Sequence, residues 1–422
     1  MISVAEASAR ILERIHRLPS ENIELAAGAR RVLAAPVVAP ITSPPWDNAS
    51  MDGYAVRSVD LSAIGPTGTA APEVTRLQVV ATIAAGEFAP RALQNGEAMR
   101  IMTGAPLPLE ADTVIRHEDT DNGRRIVVIR DQRDRGRNVR KAGEDFHAGD
   151  LLFDTGEELR VAHLGVLASA GVRNIEVFRR PRVALISSGD ELVELADFAP
   201  ALVGEKIVSS NSVTLAALVR DAGATPVDLG IANDSPASLR SKFERAKSSD
   251  LIVTSAGVSV GDHDHLRRAF DELGGELLFW KVRMRPGAPL AFGILDGTPW
   301  LGLSGNPVSA MVSFEVFVRP VLRKMLGLTH FFRRTIPVVV ADPTQLAAPL
   351  MHFLRVIVER TTDGGFIARS AGSQSSAVVT AMARANALLI LPGDNLDIQP
   401  GEVHRALPLG DSLEMSSQLN LQ

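Results

Sequence analysis

The chain has 422 residues, which at roughly 150 residues per domain is enough for about three domains. Hydrophobic residues make up 45% and charged residues 22%, the balance of an ordinary soluble globular protein, and this excludes global disorder. The net charge of -5 gives no overall positive field that would hold nucleic acid or an anionic membrane, so a bound anion must be held locally. The absence of cysteine excludes disulfides, thiolate metal sites and cysteine nucleophiles.

The hydrophobic stretches give no sign of a membrane segment or a signal peptide. All of them are interrupted by Gly, Pro or a charged residue well before the ~20 residues that a membrane-spanning helix needs. The N-terminus lacks the basic start and the apolar run of a signal peptide. We therefore expect a cytoplasmic protein that binds neither a membrane nor nucleic acid.

The first part of the chain contains a helical pattern that a β-rich pattern interrupts. Apolar residues recur at helical spacing over residues 3–18, where Ser3-Val-Ala-Glu6 forms a capping box and Pro19 ends the pattern. From about 40 to 138, Pro and Gly clusters separate short β-prone runs, and a helical pattern returns over 156–171. This order predicts a β-rich module inserted into a helical domain whose two halves flank it.

Strands and helices alternate from residue 180 to 327, which predicts a mostly parallel, doubly wound α/β sheet. The predicted strands are 182–186, 226–230, 250–254, 277–280, 289–292 and 300–303. Helices are predicted over 211–221 with Asn211 as the cap, from Ser235-Pro236, and from Pro307 with a disturbance at Pro320. After residue 329, β-prone runs at 336–340, 354–358 and 387–391 predict a small C-terminal β-barrel or sandwich.

Three unusual loops follow strands of the predicted sheet, at the edge where open α/β sheets bind ligands. They are Ser187-Ser-Gly-Asp-Glu191, Ser255-Ala-Gly-Val-Ser-Val-Gly-Asp-His-Asp264 and Ser304-Gly-Asn-Pro307. Gly257, Gly261 and Gly305 permit close backbone approach to a ligand, and Asn306-Pro307 begins a helix whose free N–H groups favour anions. Each loop alone is equally consistent with a tight turn. Three of them on one edge favour a phosphate site.

Carboxylates accompany these glycines at Asp190, Glu191, Asp262 and Asp264. Oxygen-rich groups beside phosphate suit Mg²⁺, which keeps most of its waters and takes one or two carboxylates. For Asp190 and Asp262 the alternative is ordinary turn or cap chemistry. One of these carboxylates is therefore a candidate metal ligand.

Two other chemistries receive less support from the same loops. His263 and His265 could begin a zinc site, but no third ligand can be placed. Ser304 and Ser309 resemble nucleophiles, but no His or Lys base is placed beside either of them.

Polar motifs also occur in and after the β-rich module. Pro44-Pro-Trp-Asp-Asn-Ala-Ser-Met-Asp-Gly-Tyr-Ala-Val-Arg57 contains the only Tyr, and it is too polar for a core strand and too aromatic for a linker, so a binding loop is predicted. The basic stretch 130–141 is either a solvated loop or an anion-facing strip. Arg140-Lys-Ala-Gly-Glu-Asp145 combines basic and acidic groups in a predicted turn.

Taken together, these motifs resemble the molybdopterin molybdenumtransferase family, which comprises the MoeA proteins and the E domain of gephyrin. The similarity is collinear over nearly the whole chain. It rests on Asp47-Asn-Ala-Ser-Met-Asp-Gly-Tyr-Ala-Val-Arg57, Arg100-Ile-Met-Thr-Gly-Ala-Pro106, Gly143-Glu-Asp145, Pro181-Arg-Val-Ala-Leu-Ile-Ser-Ser-Gly-Asp-Glu-Leu192, Gly257-Val-Ser-Val-Gly261 with Asp264, and Gly305-Asn-Pro-Val-Ser-Ala310.

The resemblance implies a multidomain α/β protein. Residues 1–41 and 139–179 would form a segmented helical domain, 42–138 an inserted β-rich lid, 180–328 a doubly wound, MogA-like molybdopterin-binding domain and 329–422 a β-barrel. It also implies an elongated homodimer whose cleft combines the doubly wound domain of one subunit with the lid of the other. A molybdopterin adenylyltransferase and molybdoenzymes are further expected partners.

The family reaction takes adenylylated molybdopterin and molybdate, inserts the metal at the dithiolene and releases AMP with Mg²⁺. Carried over by motif, the acidic site residues are Asp52, Asp145, Glu191 and Asp264, with Asp52 supplied by the lid of the partner and Glu191 and Asp264 assigned to Mg²⁺. The substrate-binding residues that the resemblance implies are Thr103, Arg137, Arg140, Ser187, Gly189, Asp190, Gly257, Ser259, Gly261, Arg285, Gly305, Asn306 and Pro307.

Three motifs depart from the family pattern at the anion-binding edge. The chain has Arg285-Pro-Gly-Ala-Pro289 for Lys-Pro-Gly-Lys-Pro, Ser255-Ala-Gly257 for Ser-Gly-Gly, and Leu303-Ser-Gly-Asn-Pro307 for Leu-Pro-Gly-Asn-Pro. Arg285 can still hold an oxyanion, but Ala288 cannot. Two hypotheses follow: an active transferase, or a non-catalytic paralogue that binds a pterin nucleotide or a protein partner.

Overall fold

The structure of the protein is a computed structural model, which describes residues 1–61, 74–256, 265–410 and residue 413. The chain divides into two compact units. The larger unit consists of Met1–Glu21, Arg30–Ala34 and Val177–Gln422, and the smaller unit consists of Asn22–Ala29 and Ala35–Glu176. Within the described part of the chain, no helix is both long enough and apolar enough to cross a membrane.

The larger unit contains a six-stranded sheet. In spatial order its strands are Thr225–Ala232, Arg182–Ser188, Leu251–Ser255, Thr298–Leu303, Pro289–Leu295 and Glu276–Lys281. The first four strands are parallel, and the last two run antiparallel to their neighbours. The predicted mostly parallel sheet is therefore confirmed, with an antiparallel edge.

Alternate residues of one central strand pack against different layers of helices. Val183 and Leu185 belong to one core cluster, and Ala184 and Ile186 belong to another. Because side chains alternate between the two faces of a strand, both faces of the sheet are covered. This arrangement confirms the doubly wound architecture.

The helices of the larger unit agree with the predicted pattern in order but not in every boundary. They are Val4–Glu13, Ala199–Leu202, Ser210–Asp221, Pro236–Ala246, His265–Glu272, Pro307–Ser313, Arg319–Met325 and Val379–Arg384, with a π-helix at Phe314–Val318 and a 3₁₀-helix at Leu195–Asp197. The π-helix lies just before Pro320, which lacks the N–H that a regular helical turn would use. The predicted disturbance at Pro320 is therefore confirmed.

Two helix predictions need correction. The N-terminal helix ends at Glu13 and not at residue 18, because the Leu18 N–H donates to the Met325 carbonyl oxygen at 2.9 Å and not within a helix. The predicted cap Asn211 lies inside the first turn of its helix, and Ser209 occupies the N-cap position. The Ser235 cap is confirmed, because its side chain accepts from the Ser238 N–H at 3.2 Å.

The C-terminal residues form a closed barrel. Its five main strands are Ile336–Val340, Met351–Arg360, Phe366–Ser370, Ala387–Leu391 and Val403–Pro408. Each strand pairs with two others, so the ring closes without a free edge. Short strands at Met284–Arg285, Thr344–Gln345 and Asp397–Ile398 pair beside it. Of the two architectures predicted for this region, the barrel is confirmed.

The smaller unit is β-rich with one α-helix among its described residues. Its five-stranded sheet has the spatial order Thr113–Arg116, Gly53–Val56, Glu97–Ile101, Thr75–Ile83 and Ile126–Ile129. Two small pairs join Asn48–Ala49 to Val139–Arg140 and Val37–Val38 to Leu151–Phe153, and the helix is Val161–Ser169. The helix is shorter than the predicted 156–171. The boundaries of the four predicted domains stay a prediction.

Candidate functional site

The ends of three parallel strands in the larger unit meet at one cavity. Ser187 lies opposite Ser255, and Ser255 lies opposite Leu303, so the register brings the three predicted loops to the same level of the sheet. The cavity has a volume of about 580 Å³. Its lining residues are Glu191, Leu192, Ile207, Val208, Ser209, Ser210, Asn211, Ser255, Ala256, Pro289, Ser304, Gly305, Asn306, Pro307 and Ala377.

The first loop places the Glu191 carboxylate in the cavity wall by means of a glycine. Gly189 has φ +147°, and a Cβ on it would lie 2.4 Å from Glu191 Oε2. Only glycine therefore lets the carboxylate fold back over the backbone of this turn. Ser187, at the start of the loop, is buried beneath it.

A carboxylate that the sequence analysis missed lies beside this loop. The Asp234 N–H donates to Asp190 Oδ1 at 3.0 Å, and Ser188 Oγ donates to Asp234 Oδ1 at 3.0 Å. Asp190 thus acts in turn chemistry, which was the alternative kept open for it. Asp234 follows the edge strand Thr225–Ala232, so the rule that identified the other three loops applies to it as well.

The third loop begins a helix, but its N–H groups are less free than predicted. Asn306 is at the N-cap without a side-chain capping bond, and its own N–H donates to Ser304 Oγ at 3.3 Å. Pro307 has no N–H, and the Val308 N–H donates to the Ser376 carbonyl oxygen at 3.1 Å. The helix start therefore offers fewer donors to a phosphate than a bare terminus.

The second loop enters the cavity with a backbone that is unusual for alanine. Ala256 has φ +81°, and its N–H donates to the Leu303 carbonyl oxygen at 3.1 Å. A Cβ on Gly305 would lie only 3.0 Å from Ala256 Cβ. The remaining site residues predicted here, Gly257, Ser259, Gly261 and Asp264, and also Asp262 and His263, lie outside the described residues.

A buried arginine in the barrel is a second group that the sequence analysis missed. Arg355 is 0% exposed, and its Nη2 donates to the Ser373 and Ser375 carbonyl oxygens at 3.2 Å. Its Nε and Nη1 have no partner within the described part of the chain. Burial lowers the pKa of Arg355 to about 10. Arg355 thereby holds the segment 373–375. The next residue, Ser376, accepts from the Val308 N–H of the Pro307 helix through its carbonyl oxygen, and Ala377 lies in the cavity wall.

Arg355 has no carboxylate partner among the residues that the structure describes, and it does not line the cavity. Burying a charge is costly unless the charge is paired, so the two carbonyl bonds of Arg355 are the interactions that offset its burial. The signal in the sequence was an Arg in the middle of the apolar run Leu354-Arg-Val-Ile-Val358.

The Arg285 loop lies beside this region. Arg285 is exposed, pairs in register with His352, and has no ion-pair partner among the residues that the structure describes. Burial lowers the pKa of His352, and the charge of Arg285 lowers it further. The Ala288 carbonyl oxygen accepts from the Val282 N–H at 3.0 Å, and Pro289 lines the cavity.

In the smaller unit, two predicted site residues contact each other directly. Asp52 Oδ1 accepts from both the N–H and the Oγ1–H of Thr103, each at 2.7 Å. These bonds hold the pKa of Asp52 below its usual value, and His117 and Arg100 lower it further. Asp52 is therefore an ionised, exposed and oriented carboxylate at neutral pH.

The motif that contains Asp52 is only partly a loop, which corrects its interpretation as a binding loop. Gly53–Val56 is a buried strand, and the Tyr54 hydroxyl donates to the Gly123 carbonyl oxygen at 3.0 Å. A Cβ on Gly53 would lie 2.0 Å from the Ile115 carbonyl oxygen, so the neighbouring strand requires glycine there. The single Tyr is a core residue.

The other predicted residues of this unit are exposed. Arg140 lies on a short strand opposite Asn48, and its Nε is 3.9 Å from Glu144 Oε1. Arg137 is exposed in the preceding turn. The Asp145 N–H donates to the Ser43 carbonyl oxygen at 3.1 Å, which fixes its turn.

The described residues contain no preformed metal site. Across residues 1–61, 74–256, 265–410 and 413, no three His, Asp or Glu side chains converge as a preformed metal cage. Mg²⁺ does not need one, since it takes one or two carboxylates and completes its shell with water and substrate phosphates. Glu191 at the cavity wall suits that coordination.

Comparison with known proteins places the chain in a family. The MoeA N-terminal region (domains I and II) matches residues 2–171, a probable molybdopterin binding domain matches 184–324, and the MoeA C-terminal region (domain IV) matches 337–409. The fold and the site thus define a multidomain α/β protein built around a domain of the molybdopterin-binding class. The chain belongs to the MoeA family, as the sequence motifs predicted.

Relatives match over nearly their full length. A molybdopterin molybdenumtransferase 2 of Mycobacterium tuberculosis is 38% identical over 95% of this chain and 98% of its own. A molybdopterin molybdenumtransferase of Nostoc sp. is 35% identical over 95% and 92%. The crystal structure of a MoeA protein from Pyrococcus horikoshii covers 97% of this chain and 99% of its own, with 27% identity and a TM-score of 0.80.

Proposed function

We propose that the chain is a cytoplasmic molybdopterin molybdenumtransferase. It takes adenylylated molybdopterin and molybdate, inserts molybdenum at the dithiolene and releases AMP in the biosynthesis of the molybdenum cofactor. The observation that carries this proposal is the convergence of three strand-end loops on one cavity of about 580 Å³. The names of the relatives that match at 38% and 35% identity over most of the chain support the same reaction.

The larger unit would bind the nucleotide and the oxyanion. Gly305 and Asn306 line the cavity and would contact nucleotide phosphates, although the Asn306 N–H already donates to Ser304 Oγ at 3.3 Å. Because Ala288 supplies no cation, the positive charge for oxyanions would come from Arg285, which is exposed. The loss of the usual cation at residue 288 is therefore compatible with turnover.

Magnesium would be held by Glu191 together with Asp264. When bound, the ion would neutralise charge on the pyrophosphate of the substrate. Glu191 itself is oriented by the Gly189 turn, so its carboxylate is available to the cavity without rearrangement of the backbone.

The smaller unit would act in a homodimer. We propose that Asp52 and Asp145 of one copy complete the site of the other, with Thr103 orienting Asp52 through the two bonds of 2.7 Å. A molybdopterin adenylyltransferase would supply the substrate, and molybdoenzymes would receive the product.

The decisive experiment supplies adenylylated molybdopterin, molybdate and Mg²⁺ to the purified chain and follows AMP release together with molybdenum incorporation. Glu191→Gln is expected to lose Mg²⁺-dependent turnover. Glu205→Gln, an exposed acid on the following segment, is the control and is expected to retain it. Nucleotide binding without molybdate-dependent AMP release would contradict the proposal, and sedimentation of the protein as a monomer would refute the homodimer.

A further inference from the structure

Two side chains at the start of one helix contact all three loops of the cavity. Ser209 Oγ donates to Ser187 Oγ of the first loop at 3.2 Å. Asn211 Nδ2 donates to Ser255 Oγ of the second loop at 2.9 Å and to the Gly305 carbonyl oxygen of the third loop at 2.8 Å. Ser187, Ser209, Asn211 and Ser255 are buried, at 2% to 6% exposed, so the bonds among them are shielded from bulk water, whereas Gly305 is exposed at the cavity wall.

Neither side chain makes all the hydrogen bonds that are usual for its position. An N-cap serine normally accepts from an N–H in the first helical turn, but Ser209 makes no such bond. Asn211 is 6% exposed, and its Oδ1 is buried without a partner among the residues that the structure describes. Buried polar atoms in folded proteins are nearly always paired, so helix stability does not explain why an asparagine occupies this position.

We propose that Asn211, assisted by Ser209, is a positioning residue that holds the three loops in register for a nucleotide phosphate. The amide acts through its two donor bonds, because the unpaired Oδ1 is inaccessible to a ligand. Without the amide, the Gly305 carbonyl oxygen would lose the donor that fixes the third loop next to the second. The nature of the ligand rests on the proposed function, whereas the alignment of the loops does not.

The test uses the full chain with AMP as the probe. Asn211→Ala, Ser255→Ala and the double variant are compared by calorimetric AMP affinity, and hydrogen exchange is measured over residues 255–256 of the second loop and 304–307 of the third. Thr214→Val is the matched control, since Thr214 Oγ1 bonds only within its own helix, to Ser210 at 3.0 Å and Asn211 at 3.4 Å. Asn211→Ala is expected to weaken AMP binding about tenfold and to raise exchange in both loops.

Asn211 acts partly through its bond to Ser255. The AMP affinity of the double variant is therefore expected to equal that of whichever single variant binds AMP more weakly. The proposal would be overturned if the losses of AMP affinity in the two single variants multiplied in the double variant. It would also be overturned if Asn211→Ala changed neither AMP affinity nor hydrogen exchange. If the wild type does not bind AMP, the proposed function is wrong. Hydrogen exchange alone then tests whether Asn211 holds the loops in register. If Asn211→Ala does not fold, Asn211→Asp, which keeps the shape but replaces the donor, is judged by the same two readouts.

Discussion

The close approach of Ala256 to Gly305 leads to a quantitative prediction about strain. A non-glycine residue in the left-handed region costs roughly 1–2 kcal/mol, and Ala256 has φ +81°. Replacing Ala256 by glycine removes this strain. The greater conformational freedom of the unfolded chain then lowers the free energy of unfolding by roughly 0.5–1 kcal/mol. Ala256→Gly is therefore expected to stabilise the protein by about 0.5–1 kcal/mol.

The neighbouring glycine gives the partner substitution. A Cβ at Gly305 would lie 3.0 Å from Ala256 Cβ but 3.4 Å from Ala256 Cα, which is an ordinary contact. Gly305→Ala alone is expected to cost roughly 1–3 kcal/mol as overpacking. In the Ala256→Gly background the near contact is absent, so we expect a favourable coupling of about 1 kcal/mol between the two positions.

The coupling is measured by urea unfolding of the four proteins of this cycle, followed by tryptophan fluorescence, since Trp280 and Trp300 both lie in the sheet that carries Ala256 and Gly305 at its strand ends. Ala385→Gly is the control for the generic effect of glycine, because Ala385 has an ordinary φ of -72°. That variant is expected to be destabilised. Additive free energies within about 0.3 kcal/mol, or an Ala256→Gly variant as unstable as Ala385→Gly, would refute the reasoning about strain.

Three further predictions concern the proposed site. Gly189→Ala forces the Glu191 carboxylate away, since the new Cβ would lie 2.4 Å from it, so the Mg²⁺ concentration for half-maximal turnover should rise at least tenfold while AMP affinity stays nearly constant. Thr103→Val removes the Oγ1 donor, so the pKa of Asp52 rises toward its usual value and the acid limb of the kcat/KM profile moves to higher pH; an unmoved limb would mean that Asp52 does not control it. Arg355→Met removes the donor of the Ser373 and Ser375 carbonyl oxygens, so Tm should fall and AMP affinity should weaken because the segment that leads to Ala377 in the cavity wall is no longer held; unchanged Tm and AMP affinity would show that Arg355 does not hold that wall.

The sequence predicted what depends on local patterns. Alternation of apolar runs with Gly-rich turns is read over a few residues, so the strands that end at Ser188, Ser255 and Leu303 were found, and their parallel register then aligned the loops. The N-terminal helix was extended too far because its end depends on a bond from Leu18 to Met325, far away along the chain. Local spacing contains no information about that partner.

The residues that were missed or misassigned are those whose role depends on burial. Tyr54 in a polar motif resembles a ligand-binding residue until the strand on which it lies is seen to be buried in its sheet. Asn211 resembles a cap until its amide is seen to contact two loops. Arg355 is missed because a lone Arg in an apolar run does not show whether it is buried or exposed. Its role becomes clear only from its bonds to the Ser373 and Ser375 carbonyl oxygens.

The segment that joins Arg355 to the Pro307 helix has a consequence for how such a protein can evolve. The barrel supplies the Ser376 carbonyl oxygen that occupies the Val308 N–H, and it supplies Ala377 to the cavity wall. A doubly wound domain inherited without its barrel would expose that N–H and lose one wall of the pocket. Gene truncation or domain shuffling at this junction would therefore produce a protein with a different pocket, and the two domains are expected to be inherited together.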